Sequence, residues 1–592
     1  ARRGSAASPV TAVLVRITAQ DVNALLPQLT ARGFRVVSSY PKLHFVEGYL
    51  PVAELAPGAA GVGTLSQRGL LGVMSVKKPQ ARAGRVQNQA DFVLEANRVR
   101  GARPTGYNGR GVRIGTLSDS YDALGGAAAD VASGDLPANV QVLEDLPDGS
   151  DEGRAMMQLI HDIAPGSSQA FATAFNGEGG FADNIRALAD PARGNCRVIV
   201  DDIGYFAEPF FQDGVIAQAI EEVTTQRGVA YYAAAGNQAN LSSEYSNPVF
   251  QAAANGSALL NFAPTGLADT RQRFRVPRSE RLILSLQWSD PFYTTNGVRT
   301  DLDMFLLRAN GDTVLRVVNN NLASQTPVEV LGFANVIPND TTTLFDLVIR
   351  RRAGTADPSR VKYVLFEGDA PQEYFTGSGT IVGHAAAVNA QAVAAVPSFN
   401  RLSVESFSSF GSPTILFAPD GSPLGAPTTR PKPDFTSVDA VSTTFFSGEA
   451  LPDPLDGFLF FGTSAAAPNA AAVAALLWQA EPSLTQTQLN TRLKNTARDI
   501  NVPGFDNRSG AGLINAYTAI FGPAAPVAGP LLETFDGPPG LARYWQLEDR
   551  IGGRSLVRSD FAPASAPAQL IQDSFFPDFD IPGTSIATLR LN

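Results

Sequence analysis

The stretch Tyr107-Asn108-Gly109-Arg110-Gly111-Val112-Arg113-Ile114-Gly115-Thr116-Leu117-Ser118-Asp119-Ser120 runs from a glycine-bearing turn into an apolar segment and ends on an acid. That is the pattern of a strand in an open α/β sheet whose site gathers at the strand C-termini. Apolar runs at 169–174, 197–200 and 229–233 repeat it, and helical patterns at 152–162, 181–188 and 213–226 lie between them. Strands alternating with helices predict a parallel, doubly wound sheet.

On the N-terminal side, residues 13–80 read as a small α+β unit. Strands are predicted at 13–17, 34–37, 44–50 and 73–76, with a helix over 21–32 that contains Pro27 and stops at Gly33. A polar stretch at 77–110 links this unit to the next. On the C-terminal side the rhythm changes from 245 to 375. Short β runs at 281–288, 301–307, 313–318, 343–349 and 361–366 are separated by turns, which predicts an inserted β-sandwich. The α/β pattern resumes at 380–394, a run that reads as a strand and includes His384, and continues through 413–417 and a helix over 485–496 capped by Thr485. Beyond 524, frequent Pro and Gly and short β runs at 555–558 and 585–591 read as the start of a C-terminal β domain. The domains are therefore 1–85, then 86–244 with 376–523, the insert 245–375, and 524–592.

The chain has 592 residues, room for about three or four domains. With 44% apolar and 17% charged residues it is globular. A net charge of −10 without a basic block argues against a nucleic-acid partner. No apolar run is long enough for a transmembrane helix. The single Cys196 excludes an internal disulfide framework and reads as a buried small residue.

A second stretch carries the chemistry: Phe461-Gly462-Thr463-Ser464-Ala465-Ala466-Ala467-Pro468. The alanine-rich run after it reads as a buried helix, with Pro468 near its start. Ser464 would sit at the helix N-terminus, where backbone N–H groups and the helix dipole favour developing negative charge. A capping serine and a nucleophile are both compatible with that position.

Together these motifs resemble the subtilisin-like serine protease superfamily over about residues 100 to 520. Gly462-Thr463-Ser464-Ala465-Ala466-Ala467-Pro468 matches its nucleophile motif, which implies Ser464 as catalytic serine. Ala234-Ala235-Gly236-Asn237 matches its oxyanion motif, implying Asn237 as donor, and 111–120 matches the strand ending in its catalytic aspartate, implying Asp119. Lys432-Pro433-Asp434 and Gly510-Ala511-Gly512-Leu513-Ile514-Asn515-Ala516 match further landmarks. The resemblance implies substrate contacts at Asp202, Gly204, Ala235 and Gly236. It also implies that residues 13–80 are a propeptide that inhibits the active site.

One position departs from the family. Where its catalytic histidine opens a helix, this chain reads Asp151-Glu152-Gly153-Arg154-Ala155-Met156, with Glu152 in the histidine's place. His44 lies in the propeptide-like unit, and His161 stands nine residues up the helix from Glu152, about 13 Å along its axis. The sedolisins, a related family, use a glutamate base in a Ser-Glu-Asp triad, and Glu152 resembles that solution. Their second acid would fall at Met156, so the acid here would be Asp119 instead. Glutamate is the weaker base, with an ordinary pKa of about 4.3 against about 6.5 for histidine. Two adjacent carboxyls, Glu152 and Asp119, would share a proton and raise one apparent value. Full protonation of the acids would leave a charge of about +49, which disfavours strongly acid conditions, so a mildly acidic optimum near about pH 4.5–6 is expected.

The expected function is a secreted or cell-surface serine endopeptidase, monomeric, acting on polypeptides and needing no cofactor. The alternative is a silent pseudoprotease that binds or scaffolds. Asp202 would tune Glu152, select a basic substrate side chain, or cap its loop. Asp301 and Asp303 offer calcium a weak structural site or are simply solvated. Trp288 reads as sandwich core.

Overall fold

Strand Arg113–Ser118 is buried along nearly its whole length, so both of its faces need cover. The computed structural model describes residues 12–51, 54, 65, 69–75, 86–102, 105–337, 341–446, 457–523, 545–550 and 553–558. The expected strand at 585–591 lies outside them. The chain divides into two units, Ala1–Ala81 and Arg82–Asn592.

The second unit is built on a seven-stranded sheet. Its strands, numbered here in chain order, are β1 Arg113–Ser118, β2 Gln141–Glu144, β3 Ser168–Thr173, β4 Val198–Asp201, β5 Ala230–Ala234, β6 Ala390–Pro397 and β7 Phe435–Asp439. They lie in the order β7-β6-β5-β4-β1-β3-β2, and every pairing is parallel. The chain leaves β1 to one side for β2 and β3, then returns to β1's other side for β4. That reversal opens a crevice at the C-terminal ends of β1 and β4, where α/β sheets place their sites.

Four helices cover the sheet: α1 Glu152–Ile163, α2 Gly177–Ala189, α3 Val215–Arg227 and α4 Thr463–Ala480. Residues from α1 and α4 share one apolar layer with Ile114, Val198, Val200 and Tyr232. Residues from α2 and α3 share the other with Leu117, Ile199, Tyr231 and Ala233. The period-two alternation of the strands thus separates two cores. Helix α4 is buried from Thr463 to Trp478, so alanines suit the backbone-to-sheet approach. Pro468 is its sixth residue, deeper than expected. Its missing N–H is the one that would have bonded the Ser464 carbonyl.

The insert forms two antiparallel sheets. Four strands run Ser242–Ser246, Arg360–Glu367, Arg281–Trp288, Val328–Ala334. The facing sheet contains Leu302–Arg308 and Leu344–Arg351. Leu282, Leu284, Leu286 and Trp288 alternate into the core between them. Ser285 and Gln287 point the other way. They are buried, and they bond the carbonyls of Phe206 at 2.6 Å and Glu208 at 2.7 Å. The outer face of this sheet therefore grips the loop that follows β4.

The N-terminal unit is an antiparallel sheet in the order Arg35–Tyr40, Phe45–Pro51, Ala12–Ala19, Leu70–Ser75. Helix Val22–Ala31 buries Val22, Leu25 and Leu29 against Val15, Ile17, Val46 and Leu50. The spacing of those three residues is the signature of a one-faced helix.

Candidate active site

Two strand ends meet in register at the crevice. Leu117 of β1 pairs with Asp201 of β4, so Asp119 and Asp202 emerge close together just past the sheet. Alternation decides which way each side chain turns. Asp201 has the parity of Ile199 and faces the α2/α3 layer, whereas Asp202 has the parity of Val200 and faces the α1/α4 layer. Ser464 and Glu152 stand on that second side, at the N-termini of α4 and α1.

Ser464 is 8% exposed and is the second residue of α4. The preceding Gly462 has φ +109°, and a Cβ there would approach the Asn237 Nδ2 to 3.2 Å. Glycine therefore supplies both the turn and the room for the asparagine. Asn237, in the turn after β5, accepts with its Oδ1 from the Thr463 N–H at 3.0 Å and the Thr463 Oγ1 at 2.9 Å. With its oxygen tied down, the amide presents its Nδ2 beside the serine turn. Asp439, at the end of β7, accepts from the Gly462 N–H at 2.8 Å and is pushed up to about 8, chiefly by burial. The sequence reading missed Asp439, although an acid closing a buried strand is the same signal that marked Asp119.

Glu152 opens α1 after a turn in which Asp151 holds a left-handed φ of 61°. The Asp151 carboxylate accepts from the Ser120 Oγ at 2.8 Å and the Ala123 N–H at 2.7 Å, and pairs with Arg154 at 2.9 Å. Arg154 also pairs with Asp130 and lies 3.7 Å over the Phe445 ring. This network fixes where α1 begins.

Asp119 is engaged by the backbone around it and makes no hydrogen bond to the Glu152 side chain. Its carboxylate accepts from the backbone N–H groups of Ser120, Ser150 and Glu152 (2.9 Å for the last) and from the Ser150 Oγ at 2.6 Å. Four donors fill its lone pairs, so it anchors the start of α1 and reaches the Glu152 side chain only through its charge. The carboxyl beside Glu152 is Asp202, and the Ser464 hydroxyl also acts on Glu152. Burial, and then the Asp119 charge, raise Glu152, while the neighbouring Asp202 and Ser464 oppose the rise. Burial and the Glu152 charge hold Asp202 well above the usual carboxylate range. Both Asp202 oxygens are buried, and neither has a hydrogen-bond partner in bonding geometry. Two carboxyls so placed compete for one proton, and burial favours the neutral form of both. Met156, one turn on, is buried in the apolar layer.

The remaining candidates separate clearly. Gly204 is exposed, and a side chain there would meet nothing within 4 Å. Gly236 has φ +100° and donates its N–H to the Thr463 Oγ1 at 3.1 Å. Ala235 is 3% exposed, with its methyl in the α2/α3 layer, so it offers a substrate no side chain. His384 is not on a strand but in the 3-10 turn Gly383–Ala386, buried among carboxylates. His161 lies in the last turn of α1 with its Nδ1 unpartnered, and burial lowers it. The Cys196 thiol is buried and pushed up to about 12, far from a reactive thiolate. Asp301 and Asp303 pair with Arg352 at 2.8 Å and Arg350 at 2.6 Å.

Asp119→Ala is expected to cost about 2–4 kcal/mol, because the buried backbone donors lose their acceptor. A fall in the chemical-denaturation midpoint checks this. An unchanged midpoint would show that water replaces the carboxylate.

Residues 375–512 match the subtilase family. That segment contains Ser464 but not Glu152, Asp119 or Asn237. The chain is 45% identical over 62 residues to an extracellular serine protease of Serratia marcescens, covering 10% of this chain and 6% of that protein. It is 32% identical over 144 residues to the M-protease of Shouchella clausii (strain KSM-K16), covering 24% of this chain and 30% of the relative. The chain therefore spans less than a third of the length of either relative. The Clostridium perfringens CspB protease superposes with a TM-score of 0.45 at 13% identity, over 72% of this chain and 96% of that one.

Proposed function

We propose that this member of the subtilisin-like serine protease superfamily, with subtilase sequence over residues 375–512, is a serine endopeptidase that uses a glutamate as its base. One observation supports this above the others: Glu152, at the N-terminus of α1, is close enough to Ser464, at the N-terminus of a buried helix, for the serine hydroxyl to favour its charged form. Ser464 Oγ attacks the peptide carbonyl carbon as its proton passes to the Glu152 carboxylate. The Asn237 Nδ2 and the Ser464 N–H stabilise the tetrahedral oxyanion. Protonated Glu152 then gives its proton to the leaving amine, which leaves an acyl-enzyme. Water attacks the acyl carbon with Glu152 again as base, which restores Ser464 and frees the acid product. Asp202, keeping its proton, donates to Glu152 throughout and holds it toward Ser464. This is the part the sequence reading gave to Asp119.

The sign of the pH dependence follows from one shared proton. Activity falls at low pH as Glu152 becomes protonated. It falls again when the pH is high enough to remove the Asp202 proton. Stability runs one way only. Both carboxyls are raised in the folded chain, so their contribution is complete below the ordinary carboxylate range and is lost as pH rises through the folded values. A mildly acidic optimum and a secreted or surface location fit this chemistry, with the N-terminal unit as propeptide.

A fluorophosphonate probe is expected to label the chain at Ser464, mapped by mass spectrometry, and to abolish peptide hydrolysis in proportion. Hydrolysis that persists after complete labelling, or a chain that neither labels nor cleaves between pH 3 and 9, would refute the proposal.

A further inference from the structure

The loop between β4 and α3 carries Asp202 and Gly204. A single histidine ties both of its ends. His384 Nε2 lies 2.9 Å from Asp201 Oδ1, at the loop's start, and His384 Nδ1 lies 2.9 Å from Glu208 Oε2, at its end. The His384 backbone N–H also donates to Glu208 Oε2 at 2.7 Å, and the Tyr205 N–H donates to Glu208 Oε1 at 3.0 Å. His384, Asp201 and Glu208 are each at most 3% exposed. Both ring nitrogens face carboxylate oxygens, and only the imidazolium can donate from both.

The surroundings are built for this arrangement. Gly383 has φ +62°, and a Cβ there would fall 2.7 Å from Glu208 Oε2, so glycine lets the carboxylate reach the ring. Phe181 of α2 stands edge-on to the ring at 5.3 Å. The other titratable groups facing the cluster are Glu178 of α2, raised to about 7, and the hydroxyls of Tyr231, Tyr205 and Tyr293. Its cation is therefore outnumbered by acids. From the far side, the insert bonds the same loop through Ser285 and Gln287, and Phe366 packs on Phe206 at 4.6 Å. The strand's alternation carries the effect to the crevice. Asp201, gripped on one face of the sheet, is followed by Asp202, which meets Glu152 on the other.

We propose that the His384 imidazolium is a positioning residue for the active site: by bonding Asp201 and Glu208 it fixes the 202–207 loop and so holds Asp202 against Glu152. This rests on the peptidase reading for its catalytic consequence but not for the clamp itself. Loss of the clamp frees Asp202, removes a hydrogen bond that favours the Glu152 carboxylate, and moves the acid limb of the rate profile to higher pH. A histidine that merely stabilised the fold would lower the folded fraction and leave that limb in place.

The chain has three histidines, so their ring signals can be assigned by single substitution. In the full chain labelled with 15N-histidine, the His384 ring is expected to stay doubly protonated to at least one pH unit above free histidine (about 6.5). His384→Gln should speed amide hydrogen exchange across 203–207 at least tenfold, lower kcat about tenfold or more with little change in KM, and shift the acid limb upward. Gly383→Ala, which displaces Glu208 without removing the histidine, should do the same to a smaller degree and serves if His384→Gln does not fold. A neutral His384 ring at pH 6.5, or unchanged exchange over 203–207 in a folded variant, would overturn the clamp. An unmoved acid limb, with exchange accelerated, would overturn its role in positioning. Absence of Ser464 labelling in the unsubstituted chain would instead overturn the peptidase reading, and the histidine spectrum and the exchange data would still decide the clamp.

Discussion

Glu152→Gln is expected to lower kcat by about 10²–10⁴-fold, with KM and the unfolding midpoint near their original values. The substitution keeps the shape of the side chain and removes its capacity to take a proton. The start of α1 should not move, because Asp119 bonds the backbone N–H of residue 152 and not its side chain. The Asp151–Arg154 network that sets the turn is also untouched. Asp202 cannot stand in as base. Burial and the Glu152 charge raise it well above the usual carboxylate range, and Ser464 acts on Glu152 but not on Asp202. Steady-state kinetics of a peptide substrate across pH, with Ser464→Ala as the background, reads the loss. A variant that keeps more than about a tenth of the activity would remove Glu152 from the mechanism. Glu152→His supplies the complementary case: an imidazole between Ser464 and Asp202 should return activity with its optimum moved toward neutral pH.

The parts of this site that are legible in sequence are those written locally. Gly462-Thr463-Ser464 and Gly236-Asn237 are short segments in which backbone conformation and side chain serve the same turn, and the positive φ of Gly236 and Gly462 demands the residues seen there. The central strands are legible for a similar reason, each stating its own burial by its apolar run, whereas the edge strand Gln141–Glu144, half exposed, carries no such run. The partnership of Glu152 with Asp202 is written nowhere locally. It depends on the register of β4 against β1 and on which side of β4 each residue of Asp201-Asp202 faces. His384 was misread for the same cause. Its alanine- and valine-rich neighbours have the look of a strand, whereas the turn is held by acids 176 and 183 positions earlier in the chain. Asp119 is a mixed case. A motif located the residue, but its role as backbone anchor is set by the donors Ser120, Ser150 and Glu152 that fold around it.

Asn237→Ala is expected to lower kcat by about 10²–10³-fold and leave KM nearly unchanged, because the lost donor acts on charge that exists only after Ser464 has attacked. The direction of the amide carries this expectation. Thr463 occupies the Oδ1 with two hydrogen bonds, so Nδ2 is the end left for the oxyanion. Asn237→Asp tests that orientation. An aspartate would keep both bonds from Thr463 and present an anion where the oxyanion develops, so its loss should equal or exceed that of the alanine variant. Thr463→Val gives an intermediate case, because the Thr463 N–H still holds Oδ1 while the hydroxyl bond is gone, and a smaller fall in kcat is expected. Should Asn237→Asp retain near-full activity, the asparagine would be a structural brace for the α4 turn. The tetrahedral intermediate would then depend on the helix N–H groups alone. Combined with Glu152→Gln, the Asn237→Ala loss should fall short of the product of the two single losses, since groups that act in one step do not add.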